Sequence, residues 1–339
     1  FGGSRMGALR GLHPFDAEGG RAPSRVGDPV VGGDSGYQQT LKNAIHCSGV
    51  GLHSGAKISM TLKAGEPDSG IVFRRRDLAG HPCVRASHLS AQETPLCTTI
   101  AKGEVKVATI EHLMSALAAC GVDNAEVDLD GPEVPIMDGS AAPFVFLVEC
   151  AGIQLQDAPR KAIRILKTVE IDDSGRHASL APARSFWIDF EIDFDSAVVA
   201  RQTWSGGINR QQFKSDLARA RTFGFRQEVD DLRQNGLARG GSLDNAVVID
   251  GNGVMNEGGL RFEDEFVRHK VLDSIGDLYL AGAPILGRFT GHKTGHAMNL
   301  RLLRALFADD SAWCWVDMAR ADLAPGASVP PARAVAARA

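Results

Sequence analysis

No charge of either sign predominates in this chain of 339 residues. The net charge is −4, so the basic field that would argue for nucleic acid is missing. A polyanionic ligand would have to be met by local Lys and Arg. A run apolar enough to cross a bilayer is missing too. The longest, 141–153, carries Glu149 and falls short of the roughly 20 residues a span requires. Residues 1–37 hold charges and glycines without an apolar stretch, so no secretory signal is expected in them. No CxxC pair occurs among the six cysteines, at 47, 83, 97, 120, 150 and 314. Several of these sit inside strand-like or helix-like patterns, which favours free thiols in a reducing compartment over disulfides. There is no HExxH, which excludes a zincin. What is left is a globular protein, 44% hydrophobic and 23% charged, expected in the cytoplasm and long enough for two domains.

Residues 1–37 and 326–339 lack periodicity and read as a disordered leader and a frayed tail. Between them, 38–157 and 161–325 read as two α+β domains. Residues 57–63 alternate apolar and polar, the signature of a half-buried strand. Strand 105–108 precedes a helix through Cys120, with Thr109 as its expected N-cap and Gly121 as its stop. Strand 125–129 and helix 141–152 follow. The second half opens with strands at 161–171 and 186–194. Helical segments come next near 210–220 and 227–235. A strand at 246–250, a long helix at 263–281, a strand at 285–290 and a helix at 297–307 complete it. Each half thus runs strands, helix, Gly turn, strand, helix. The helices 111–121 and 269–282 both have a His near the start and a Gly at the end. The seam between two such domains is a natural place for a site.

The long helix places His269, Asp273 and Asp277 on one side and Val271, Leu272, Ile275, Leu278 and Tyr279 on the other, at about 100° per residue. An imidazole and a carboxylate one turn apart can share one metal ion. The same pattern also fits a solvated polar face. A catalytic zinc takes three protein ligands, and His112, at the rim of the stripe Leu113, Ala116, Leu117 and Cys120, is the best third candidate, although it also fits a core-edge histidine. Glu111 beside it can favour the helix dipole or serve as a general base towards a zinc-activated water. Either His292 or His296, in the loop 291–296, can protonate a leaving amine.

Several long strings, in order, resemble one family. They are Gly49-Val-Gly-Leu-His-Ser-Gly55, Thr109-Ile-Glu-His-Leu113, Pro135-Ile-Met-Asp-Gly-Ser-Ala-Ala-Pro143, Ala220-Arg-Thr-Phe-Gly-Phe225, Gly240-Gly-Ser242, Leu260-Arg-Phe-Glu-Asp-Glu-Phe-Val-Arg-His-Lys270 and Gly295-His296. From about residue 38 to about 325 the chain resembles the UDP-3-O-acyl-N-acetylglucosamine deacetylases of lipid A biosynthesis. The resemblance implies two βααβ-type sandwich domains with the site at their interface. It implies a monomer that holds one Zn²⁺ through His112, His269 and Asp273. Glu111 would be the general base, His296 the general acid, Asp277 the carboxylate orienting that His, and Thr222 the oxyanion hydroxyl. Phe223 and Lys270 would contact the sugar. An insert at 225–248 would form an acyl passage, with Phe225, Leu237, Ala238 and Ser242 as candidates, and Phe194 would lie towards the uridine and diphosphate. The substrate implied is a UDP-linked acylated N-acetylglucosamine. The Cys97-Thr-Thr99 string leaves the implied metal site intact, and the leader before Tyr37 has no counterpart in the family core.

Overall fold

The computed structural model describes residues 36–321. The expected disorder of the leader and the fraying at 326–339 lie outside the described residues, apart from Gly36 and Tyr37. Tyr37 does not belong to a tail: it opens a strand whose register pairs it with Pro159, because the end of the first half returns alongside it.

The first half runs through β1 (Tyr37–Leu41), β2 (Ile45–Val50), β3 (Lys57–Ala64), β4 (Ile71–Arg75), β5 (Cys83–Arg85), β6 (Ala91–Gln92), β7 (Thr99–Lys102) and β8 (Val105–Val107). Then come α1 (Glu111–Cys120), β9 (Ala125–Leu129), α2 (Ala142–Ala151) and β10 (Ile153–Pro159). Strands β2, β3, β9, β4 and β5 form one sheet in that order, β6 to β8 a smaller one, and β1 pairs with β10. In β3 the alternation does what a period of two predicts: Ile58, Met60 and Leu62 are buried while their neighbours are not.

The second half runs through β11 (Lys161–Ile165), β12 (Val169–Asp173), β13 (Arg176–Pro182), β14 (Trp187–Asp193) and β15 (Arg201–Gly207). A short α3 (Arg210–Gln212) continues as a π-helical turn to Leu217, followed by β16 (Phe223–Phe225), α4 (Arg226–Gln234), β17 (Val247–Asp250) and β18 (Gly253–Val254). The chain closes with α5 (Glu265–Leu278), β19 (Ile285–His292), α6 (His296–Ala308), β20 (Trp313–Asp317) and α7 (Met318–Ala321). The larger sheet has the order β12-β13-β19-β11-β20, with β14 and β15 joined through β19. Strands β16 to β18 form a separate small sheet beside α4. The class is α+β.

One apolar core runs through both halves, and α1 packs against α5 at its centre. Nine of the ten residues of α1 and twelve of the fourteen of α5 are buried. Neither helix therefore has a solvated side, and the polar residues they carry must be satisfied by one another or by a ligand. The crossing is tightest where Gly276 meets Glu111: a Cβ on Gly276 would lie 2.0 Å from the Glu111 carbonyl oxygen. Only glycine lets the two backbones come this close, and the contact sets Glu111 beside Asp277.

Thr109 is not the cap of α1. Ile110 occupies the cap position without a side-chain bond. Thr109 instead adopts φ 57° and donates its hydroxyl to Glu133 at 3.1 Å. The helix end turns into the core, so its polar groups answer to tertiary partners. Gly121 does end the helix, in the left-handed conformation at φ 75°. All six cysteines are free thiols. Among the described residues no helix is long and apolar enough to cross a membrane.

Candidate active site

Asp273 projects from α5 between two imidazoles. Its Oδ1 lies 3.3 Å from His269 Nε2, one turn earlier on the same helix, and 3.4 Å from His112 Nε2 on α1. All three side chains are buried, and their ligand atoms fall within 4.8 Å of one another. Two bonds of about 2.0–2.1 Å at a tetrahedral angle set donor atoms about 3.3–3.4 Å apart, the spacing seen here. Asp273 Oδ1 is buried with no hydrogen-bond partner, which a cation in the gap would relieve. His269 Nδ1 meets the Ala220 carbonyl at 3.0 Å. Donation there fixes the tautomer and turns the Nε2 lone pair inward. Burial pushes the pKa of His269 down to about 4, so its ring is neutral at working pH, the form a metal would need. Burial opposes ionisation of Asp273, but the neighbouring His269 and Lys270 outweigh it and hold its carboxyl well below the usual range. The residues fit a divalent metal of the zinc type.

Beside these ligands stand two further titratable groups. Glu111, one residue before His112, is buried and accepts the Thr98 backbone N–H on Oε2 at 2.9 Å. Burial raises its pKa, against the opposing pull of His296 and His112. A carboxylate in that state takes a proton more readily than one in water. His296 opens α6, and its Nδ1 lies 2.9 Å and 3.1 Å from the two oxygens of Asp277. Burial would strip its proton, but Asp277 reverses the sign and raises its pKa to about 9. Asp277 also accepts from Asn299 Nδ2 at 2.8 Å and from the Thr98 hydroxyl. His292, the rival for the acid, pairs instead with Glu191 at 3.2 Å on a partly exposed strand end.

Thr222 and Phe223 lead from this centre into a cavity of about 440 Å³. Leu52, Leu96, Val229, Leu232 and Val248 supply apolar wall, and Ala238 and Ser242 also line it. Leu237 is absent from the lining: it follows Gly236, which turns at φ 77° beyond the end of α4. Leu232, on the helix itself, is on the wall instead. The Phe223 ring lies edge-on to His269 and 5.7 Å below the Lys270 ammonium, and Lys270 in turn bonds Asp273 at 3.1 Å. Phe194 and Phe225 are 6.0 Å apart and line a separate open recess with Arg201 and Arg226.

Sequence reasoning missed the supports. Arg221 gives both its backbone N–H and its guanidinium to Glu265 of α5, at 2.9 Å each. This buried pair anchors the segment whose neighbours are the Ala220 carbonyl and Thr222. Asn299 stands three residues after His296 on one helix face, a spacing that could have marked it. Thr98 carries no such signal.

The sequence pattern of the UDP-3-O-acyl N-acetylglycosamine deacetylases, LpxC, matches residues 38–308. The chain belongs to the LpxC family. A UDP-3-O-acyl-N-acetylglucosamine deacetylase from Acidithiobacillus ferrooxidans is 54% identical over 284 residues, covering 83% of this chain and 93% of the relative. One of the same name from Pseudomonas entomophila is 50% identical over 300 residues, covering 88% and 99%. The match to the LpxC family takes in Glu111, His112, Thr222, His269, Asp273, Asp277 and His296.

The His296–Asp277 pair makes a pH prediction. His296 has a raised folded pKa, so its charge contributes stability that is complete below about 6.5, its ordinary value, and is lost as pH rises through about 9. NMR titration of the His296 ring should show a midpoint well above that of a free histidine. In Asp277→Asn the midpoint should move down, because burial then meets only the weaker opposition of Glu111 and Asp273. An unmoved midpoint would assign the raised value to some other charge.

Proposed function

We propose that this chain hydrolyses the N-acetyl amide of UDP-3-O-acyl-N-acetylglucosamine, releasing acetate and the free amine, in the lipid A pathway. The observation that supports it best is the buried convergence of His112, His269 and Asp273 with Glu111 and His296 at the mouth of an apolar cavity. Zinc, one per chain, is the metal that this donor set favours, and when bound it supplies Lewis acidity towards water and the amide carbonyl. Glu111 takes a proton from the attacking water as the new C–O bond forms. The Thr222 hydroxyl donates to the oxygen that gains charge. His296, kept protonated by Asp277, delivers its proton to the nitrogen as the C–N bond breaks. Phe223 and Lys270 hold the sugar against the ligands. The cavity beside Ala238 and Ser242 takes the acyl chain, and Phe194 lies on the nucleotide side; Phe225, expected in the acyl passage, lines the recess with Phe194 instead of that cavity.

The halves 38–157 and 161–325 are read as two domains because, among the described residues, each sheet is built from strands of one half, while α1 of one and α5 of the other meet at the site. One chain carries the whole candidate ligand set, which fits a monomer as the working unit. The free thiols fit a cytoplasmic location.

Elemental analysis tests the metal. Purified protein should hold about one zinc per chain, and His269→Ala should lose most of it together with acetate release from the UDP-sugar. Full metal retention in that variant would remove His269 from the ligand set.

A further inference from the structure

We propose that Thr98 is a positioning residue for the reaction, its backbone N–H holding Glu111 and its hydroxyl holding Asp277. The inference rests on the roles just given to Glu111 and His296. Thr98 is buried on the segment that enters β7, and it belongs to neither α1 nor α5. Its N–H donates to Glu111 Oε2 at 2.9 Å. Its Oγ1 donates to Asp277 Oδ1 and lies 3.2 Å from His296 Nδ1. One residue thus touches the base directly and the acid through its carboxylate. Only χ1 lies between the backbone nitrogen and Oγ1 of one residue, and in a staggered, buried Thr it holds the two donors at a set separation. This short link adds to the α1–α5 crossing at Gly276 in fixing the spacing between base and acid. Two alternatives are open to the hydroxyl, the carboxylate and the imidazole nitrogen, but Nδ1 already gives its proton to Asp277. The hydroxyl therefore serves Asp277, which also receives Asn299, and the carboxylate is held from three sides.

The test separates the two contacts. Thr98→Val keeps the backbone N–H and the shape but removes the hydroxyl; Thr98→Ser keeps both donors. The reference variants are Glu111→Gln and His296→Ala. In zinc-loaded protein, Thr98→Val should lower kcat about 10- to 100-fold, the usual worth of one hydrogen bond to a charged group, with KM and zinc content unchanged. Thr98→Ser should recover most of the loss. In ¹⁵N-histidine-labelled protein, the Nδ1 signal of His296 should move in Thr98→Val and stay in Thr98→Ser. Wild-type kcat in Thr98→Val, or a lowered kcat with the His296 signal unmoved, would overturn the proposal and leave Thr98 a packing residue. Near-normal turnover in Glu111→Gln or His296→Ala would instead overturn the roles on which it rests.

Discussion

Glu111→Ala should keep its metal and lose about 10² to 10⁴ in kcat, the range for a general base. Glu111 is not itself among the three clustered ligands, so the metal should stay. The carboxylate is buried beside His112, with one oxygen committed to the Thr98 N–H, which leaves the other to meet water at the ligands. Because burial raises its pKa, the acidic limb of kcat/KM should lie above the ordinary carboxylate range, with activity lost as pH falls through it. Glu111→Gln, nearly the same shape, should lose turnover to a similar extent. Stopped or steady-state assays with metal analysis on the same samples decide the matter. Near-normal kcat with full metal would leave Glu111 the lesser role of an acid in the first turn of α1.

An effect of similar size is expected from the substrate. Removing the acyl chain should lower kcat/KM by several decades. The wall formed by Leu52, Leu96, Val229, Leu232 and Val248 offers apolar surface, and each CH₂ transferred to it gains about 0.8 kcal/mol. Five such groups come to about 4 kcal/mol, a factor of about 10³. The cavity opens beside Thr222 and Phe223, so a chain lodged in it also fixes the acetamide against the ligands, and part of the gain should appear in kcat. Acetate release from UDP-N-acetylglucosamine with and without the 3-O-acyl group measures this. Equal rates would remove the acyl-sugar assignment and favour an amidase of wider range. A Leu232→Asp substitution should weaken binding of the acylated substrate alone, since it places a charge in the wall without touching the metal ligands.

The elements that carry the chemistry are legible in the sequence because local rules govern them. The alternation in β3, the Gly121 stop and the i, i+4 spacing of His269 and Asp273 follow from strand and helix periods. The ordered strings from Gly49 to His296 identified the family. Periodicity alone left the face bearing His269, Asp273 and Asp277 open between solvent and metal, because a period says which residues share a face and not what covers it. The packing of α1 on α5 removed the solvent reading, by burying that face and leaving Asp273 Oδ1 without a partner. The packing of α6 on α5 brings His296 to Asp277, while His292 meets Glu191. Thr109 leaves the cap of its helix for Glu133, beside the Ala108–Glu133 bridge. Thr98 lies 179 residues from Asp277, and no local pattern spans that distance. What the sequence determined by itself was the helices, the strands and the set of reactive side chains. Which of them are dry, which are paired and which face one another came from the tertiary structure, because those depend on contacts between segments far apart in the chain.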